Sequence, residues 1–439
     1  MLEFAYRFCC FIKSTITKRE EGKVASKNDI LKYRLFVAFD LILLLLIFSQ
    51  KISIKDLPSP TALLSPIPLS VFQNKAYAKS GKEVFGFAPY WTFNKLDNVD
   101  FGVLTTLAYF DLETDSSGDL DTTGPGYQTF MSDHATQVFN KAHSYGDRVV
   151  VTVTNMDADS IRALMDDQSA QDNLISNLTT IVKDRGIDGV NIDFEYAGNP
   201  GQGYRNKYTR FIHNLTARMH QEVAGSEVSI SVYASAVKEP KIYDISDLGK
   251  EDIKIFMMAY DFGYAGSDNV MPTSPLYGAK EGKYWYDVST AVEDFLALMP
   301  AQKLILGTPW YGYNYAISGK PKVNAPTGYG YGVPETYTLA KEDIHPNMEG
   351  ITAYKEGWDN IGKVGWKAYF AEESGTWRML FLDDAKSLGI KYDFAKDKNL
   401  AGVGMWALGF DDGNPDLWNV LRDKFGVKIA DSRVPGTNL

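Results

Sequence analysis

The chain has 439 residues, of which 45% are hydrophobic and 23% charged. That balance is ordinary for a globular protein and leaves room for one large barrel plus additional elements. The formal net charge of −10 lacks the basic footprint that a general nucleic-acid binder needs, so no nucleic-acid partner is expected. Aromatic residues reach 13%, with 26 Tyr and 8 Trp. Sugar rings stack well on such side chains, but an aromatic-rich core uses them equally.

Taken in chain order, Cys9 and Cys10 come first, and the chain has only these two cysteines. The remainder can therefore hold neither a disulfide nor a thiolate metal site. The adjacent pair is a weak lipidation signal, and inert thiols are the plainer reading. Residues 1–34 form a basic tail in which Arg7, Lys13, Lys18, Arg19, Lys23, Lys27, Lys32 and Arg34 outnumber Glu3, Glu20, Glu21 and Asp29. The run LFVAFDLILLLLIFS at 35–49 is apolar except for Asp40, and Ile52 and Ile54 extend it to about residue 54. It reads as a signal-anchor at 35–54 with the basic side in the cytoplasm and the C-terminal part exported. A cleaved signal peptide is the competing reading, but the A-x-A form Ala76-Tyr77-Ala78 lies far downstream. Pro58, Pro60, Pro66 and Pro68 then mark a stiff linker over 55–82.

From residue 83 to about 427 the chain repeats an apolar run followed by a polar, Gly/Pro-marked or helical stretch. Eight runs recur, at 84–91, 103–112, 149–155, 189–195, 228–235, 253–261, 304–312 and 402–410, with helical stretches such as 159–185 and 205–224 between them. Strands alternating with helices at this spacing predict an α/β fold, a (β/α)8 TIM barrel. The open doubly wound alternative lacks a phosphate-binding GxGxxG after the first strand. The longest gap predicts a small α+β insertion at about 313–375, followed by a last helix near 376–393. A tail occupies 428–439. In such barrels the chemistry sits at the C-terminal strand ends, where these runs place Asp111, Glu113, Asn155, Asp193, Glu195, Tyr260, Asp261, Trp310, Tyr311 and Trp406.

The segment Asp188-Gly189-Val190-Asn191-Ile192-Asp193-Phe194-Glu195 carries the strongest chemical signal. Alternation along a strand sends Val190, Ile192 and Phe194 toward the helices and Asn191, Asp193 and Glu195 toward the barrel axis. Positions two apart on one face are roughly 6–7 Å apart. Two carboxylates on a buried face repel when both are ionised, so one of them should hold a proton near neutrality. A protonated carboxyl suits protonation of a glycosidic oxygen. The competing reading is a structural polar network, which is costly to bury if uncompensated.

This segment resembles the DxxDxDxE signature of glycoside hydrolase family 18, the chitinase-like family. Met258-Ala259-Tyr260-Asp261 resembles the family's M-x-Y-D motif on the sixth strand, and Trp406 falls at its cleft-floor tryptophan. The resemblance covers nearly all of 83–427. It implies a retaining glycosidase acting by substrate assistance on β-1,4-linked N-acetylglucosamine glycans such as chitin or peptidoglycan. By the same resemblance Glu195 is the acid and base, Asp193 orients the acetamido N–H, and Tyr260 bonds its oxygen. Asp261 and Met258 line the sugar site and Trp406 stacks beneath it. Asn191 stands where many members have Asp. It puts a swinging Asp193 in doubt, can donate a hydrogen bond to Asp193, and also occurs in bacterial cell-wall-acting relatives. Trp310 and Tyr311 are read equally as cleft lining or barrel-top packing.

The five histidines, His134, His143, His213, His220 and His345, are too scattered for a metal site, so neither metal nor cofactor is expected. Expected partners are an N-acetylglucosamine-containing polysaccharide and, through the anchor, a membrane, with the chain acting as a monomer. The rival function is a non-catalytic, lectin-like family 18 barrel, against which the retained Glu195 speaks.

Overall fold

The computed structural model describes residues 81–426, except Tyr329 and Tyr331. The basic tail, the anchor at 35–54, nearly all of the linker at 55–82, the cysteine pair and the tail at 428–439 lie outside the described residues. Among the described residues, no helix is long and apolar enough to cross a membrane.

The first seven barrel strands are β1 (Glu83–Pro89), β2 (Thr106–Glu113), β3 (Arg148–Asn155), β4 (Gly189–Phe194), β5 (Glu227–Tyr233), β6 (Lys254–Met258) and β7 (Leu304–Pro309). Five further strands intervene: β8 (Tyr311–Ile317), β9 (Val333–Thr336), β10 (Ile351–Asp359), β11 (Val364–Ala371) and β12 (Thr376–Leu382). The chain then returns to the barrel as β13 (Gly402–Trp406), which pairs in parallel with β7 and β1 and closes it. All eight runs expected as barrel strands contribute a strand to it, with ends shifted by one to a few residues.

The helices are α1 (Pro125–Phe130), α2 (Asp133–Ser144), α3 (Ala158–Asp166), α4 (Gln168–Arg185), α5 (Gln202–Glu222), α6 (Ile245–Leu248), α7 (Val288–Leu296), α8 (Ala385–Asp397) and α9 (Asp416–Phe425). The single helix expected over 159–185 is two, because Asp167 turns out of helical geometry and its carboxylate caps the backbone N–H groups of Ser169 and Ala170. After β1 there is a 3-10 segment, Tyr90–Asn98, in place of a full helix.

Alternation on the strands divides the core. Val190, Ile192 and Phe194 join the large cluster between strands and helices. Burial of each contributes about 1.5–3 kcal/mol. A second cluster of Phe85, Phe87, Phe110, Phe256 and Met258 fills the barrel interior. Close strand approach also dictates Gly189 and Gly402, where a Cβ would fall 1.9 Å from the Glu227 carbonyl oxygen and 2.0 Å from that of Glu83. At the N-terminal end of the barrel, buried Glu83 accepts from Arg148 at 2.7 Å and Lys254 at 2.6 Å, and Glu227 pairs with the same two cations.

The insertion is larger than expected. It is a five-stranded antiparallel sheet ordered β10-β11-β12-β8-β9 and reaching from Tyr311 to Leu382. The last helix does not begin near 376. Thr376–Leu382 is a strand whose Met379 and Phe381 enter the sheet's own core while Leu380 and Leu382 face the main one. The two-residue period of this stretch makes it a strand and not the start of the expected helix. The helix starts only after Asp384, which caps it by accepting from the Ser387 N–H.

Candidate active site

The C-terminal ends of β4, β5 and β6 and the segments that follow them enclose a cleft of about 470 Å³. Glu195, Tyr233, Lys241, Met258, Tyr260, Asp261, Tyr264 and Trp285 are among its lining residues. Glu195 follows the last residue of β4, and its backbone N–H is held by the Asn155 carbonyl at 3.0 Å. Its side chain is half-buried, and its Oε2 accepts a hydrogen bond from the Tyr233 hydroxyl at the end of β5. The sequence reading missed Tyr233. It was marked only as part of an apolar run, and its role follows from the register that sets β5 beside β4.

Asp193 is buried on the interior face of β4, 4% exposed, and its Oδ1 has no hydrogen-bond partner. Burial pushes this carboxyl well above the usual carboxylate range, and the charges of Glu195 and Asp111 push it the same way. The surroundings of Asp193 therefore favour its protonated form. Asp111, at the end of β2, is buried too and raised chiefly by that burial, although Thr154 Oγ1 donates to it at 2.6 Å. Thr154 stands beside Asp193 in the β3–β4 register.

Asn191 behaves differently from expectation. Its amide donates to Ser229 Oγ at 3.0 Å and accepts from Ser231 Oγ at 2.9 Å. The amide oxygen and one of its two N–H groups are turned to β5, and the hydrogen bond expected from Asn191 to Asp193 is not made. The two serines alternate on the inner face of β5 in the same way as Asn191 and Asp193 on β4, and they hold the amide toward that strand.

Met258 ends β6 and packs into the barrel interior while lining the cleft. Tyr260 is half-buried, and Asp261 adopts a left-handed backbone with φ of 59°. The Asp261 carboxylate accepts from Tyr311 at 2.5 Å and Tyr313 at 3.1 Å. Tyr311 is buried under this carboxylate, so it positions Asp261 instead of forming cleft wall. Trp310 is fully buried, edge-on to Trp418 at 5.3 Å. Of the two readings open for it, cleft lining is thereby excluded and barrel-top packing is the one found, with Trp310 lying between the end of β7 and the start of β8. Trp406 stays partly open, resting edge-on against Phe110 at 4.6 Å and on Phe87 at 5.5 Å. Trp91, absent from the expected set, is 49% exposed and lies 6.3 Å from Trp406.

Among the other strand-end residues, Asn155 is spent on structure, donating to the Thr114 carbonyl just past the end of β2 and to Ser160 at the start of α3. His143 and His213 each face a carboxylate, Asp188 and Glu251. Among the described residues, no group of three or more His, Cys, Asp or Glu side chains is placed to hold a metal ion.

The profile described as Glycosyl hydrolases family 18 matches residues 86–411. The chain belongs to that family. Its relatives include a putative sporulation-specific glycosylase of Bacillus subtilis, 24% identical over 64% of this chain and 61% of its own length. Human di-N-acetylchitobiase is 24% identical over 64% of this chain and 74% of the relative. The chain thus spans less than two thirds of the Bacillus glycosylase. Among solved structures, the Bacillus cereus spore cortex-lytic enzyme SleL superposes with a TM-score of 0.61 at 21% identity, covering 79% of this chain and 75% of that one. The Group IV chitinase of Ostrinia furnacalis in complex with allosamidin gives 0.66 at 19% identity, covering 78% and 97%. At these identities the superpositions establish the fold, and with the family match the chain is a chitinase-like member of the glycosidase family.

Proposed function

We propose that the chain is a retaining glycosidase that hydrolyses β-1,4-linked N-acetylglucosamine glycans with help from the substrate's own acetamido group. The observation that carries this reading is the division of labour between two carboxyls on one strand. Asp193 is buried and pushed toward its protonated form, while Glu195 opens onto the cleft in a hydrogen bond from Tyr233. Pairs of acids with environments that differ in this way are how a site assigns its acid and base roles.

In this reading the proton favoured on Asp193 passes to Glu195 as substrate binds, and Glu195 delivers it to the leaving glycosidic oxygen, leaving Asp193 as a carboxylate. The acetamido oxygen attacks the anomeric carbon from the opposite face, and an oxazolinium ion forms as the bond breaks. Asp193 accepts from the acetamido N–H and orients it. Tyr260 donates to the acetamido oxygen, Asp261 and Met258 hold the sugar, and Trp406 stacks beneath it. Glu195 then removes a proton from the water that opens the oxazolinium ring, and the configuration is retained. Chitin-type oligosaccharides and peptidoglycan share the group that this mechanism needs. The basic residues ahead of the apolar run at 35–49 support a catalytic domain held outside the cytoplasm.

The test is hydrolysis of a fluorogenic chitotrioside by the chain and by Glu195→Gln. Turnover that falls a hundredfold or more in the variant is expected. Undiminished turnover, or oligosaccharide binding without any turnover, would refute catalysis by Glu195 and favour a binding barrel.

A further inference from the structure

The cleft wall carries one lysine that the proposed mechanism does not use, Lys241, and a second, Lys238, stands over the ring of the wall residue Trp285. Lys241 lines the cleft with Glu195, and its Nζ lies 4.1 Å from the ring centroid of Tyr233. Its backbone is left-handed, with φ of 50°, a conformation uncommon outside Gly, Asn and Asp. The Arg205 guanidinium holds it there by donating to the Lys241 carbonyl at 3.1 Å. Lys238 lies nearby in sequence, its Nζ 5.5 Å from the ring centroid of Trp285. Trp285 is itself 49% exposed on the cleft wall. Among the described residues, no carboxylate lies within ion-pair distance of either ammonium, although Glu239 is adjacent in sequence.

These observations are independent of the catalytic carboxylates and share one chemistry. An uncharged N-acetylglucosamine polymer has no group that an ammonium prefers to water. An anionic glycan would be repelled by a chain of net charge −10 with acids on the cleft floor, unless cations stood where it is received. A backbone held in a sparsely populated conformation at a cleft is also where function tends to be found. The exposed indole beside Lys238 supplies the sugar platform next to the charge.

We propose that Lys241 and Lys238 form a carboxylate-receiving station on the Trp285 wall. The preferred substrate is then a glycan in which carboxylate-bearing sugars alternate with N-acetylglucosamine. This rests on the hydrolase reading above. Lys241 supplies a half-buried ammonium close to the scissile bond, and Lys238 a second one farther out along the aromatic platform.

The experiment compares kcat/KM on three probes: a fluorogenic chitotrioside, a soluble peptidoglycan strand freed of peptide, and the same strand with its carboxyls methyl-esterified. The full chain is used with Lys241→Gln, Lys241→Arg and the Lys241→Gln/Lys238→Gln double variant. The ratio of activity on the free-acid strand to that on its ester should exceed one and shrink with added salt. It should fall about tenfold in the double variant, mainly through KM, and be kept by Lys241→Arg. If the substitutions lower acid and ester alike, or esterification does not slow the wild type, the anion station is overturned and the hydrolase stands. Absence of turnover on all three probes overturns the hydrolase and the station with it.

Discussion

Replacing Asp193 by Asn should make the protein more stable as pH rises relative to wild type, while stopping catalysis. Asp193 is 4% exposed and its carboxyl is lifted well above the usual range by burial, then by Glu195 and Asp111. In the unfolded chain the same carboxyl titrates near its ordinary value of about 4. Between those two values the folded protein binds a proton that the unfolded chain has released. Wild-type stability therefore falls as pH rises through this window, by up to about 1.4 kcal/mol per pH unit for one proton. Below about pH 4 both states are protonated and the contribution levels off. Asparagine takes up no proton, so the difference in unfolding free energy between variant and wild type should climb from pH 4 upward. A constant offset accompanies it from the new amide, whose N–H groups enter a site where Oδ1 already lacks a partner. Denaturant unfolding of both proteins at pH 4, 5, 6 and 7 measures the slope. A difference independent of pH would refute a buried, proton-holding Asp193. Activity should fall at least a hundredfold in the variant at every pH, since an amide cannot stabilise the positive oxazolinium ion.

Other consequences follow from single contacts. Tyr233→Phe removes the hydroxyl that donates to Glu195. Loss of a hydrogen bond that positions the reacting carboxyl costs about 1.5–3 kcal/mol, so steady-state kinetics should show kcat/KM reduced roughly ten- to hundredfold, with a melting temperature lowered by no more than a few degrees. Burial alone would raise Glu83, but Arg148 and Lys254 outweigh it and hold its carboxyl at about 2. Its shift from 4.5 is worth at most about 3 kcal/mol, less because Arg148 is 38% exposed and screened. That stability is present above about pH 4.5 and lost as pH falls toward 2. The gap between wild type and Glu83→Gln in urea unfolding should accordingly narrow over that interval. Lys391 and Asp383 form a fully buried pair under α8, with Ser387 also bonded to the carboxylate. Lys391→Met should destabilise by about 3–5 kcal/mol in chemical unfolding, while Lys391→Met combined with Asp383→Leu should recover most of the loss.

The barrel was legible because its signal is local and repeated. Each strand must bury both faces, so eight apolar runs stand out whatever their partners are. The interior and exterior assignment of β4 was equally readable, since alternation by two residues admits only one register with the core. Motif spacing likewise located Asp193, Glu195, Tyr260 and Asp261. The insertion was misjudged where period two and period 3.6 compete over a short stretch, at Thr376–Leu382.

What the sequence could not decide is what meets across strands. That Tyr233 reaches Glu195, that Ser229 and Ser231 occupy Asn191, and that Asp111 adds its charge to Asp193 depend on register between strands far apart in the chain. Which of two adjacent carboxyls keeps the proton is likewise a property of its surroundings. The sequence by itself determined that two acids share one strand of a barrel. Only the tertiary structure gave them different surroundings, because desolvation and the field of neighbouring charges exist only once the barrel has closed around them.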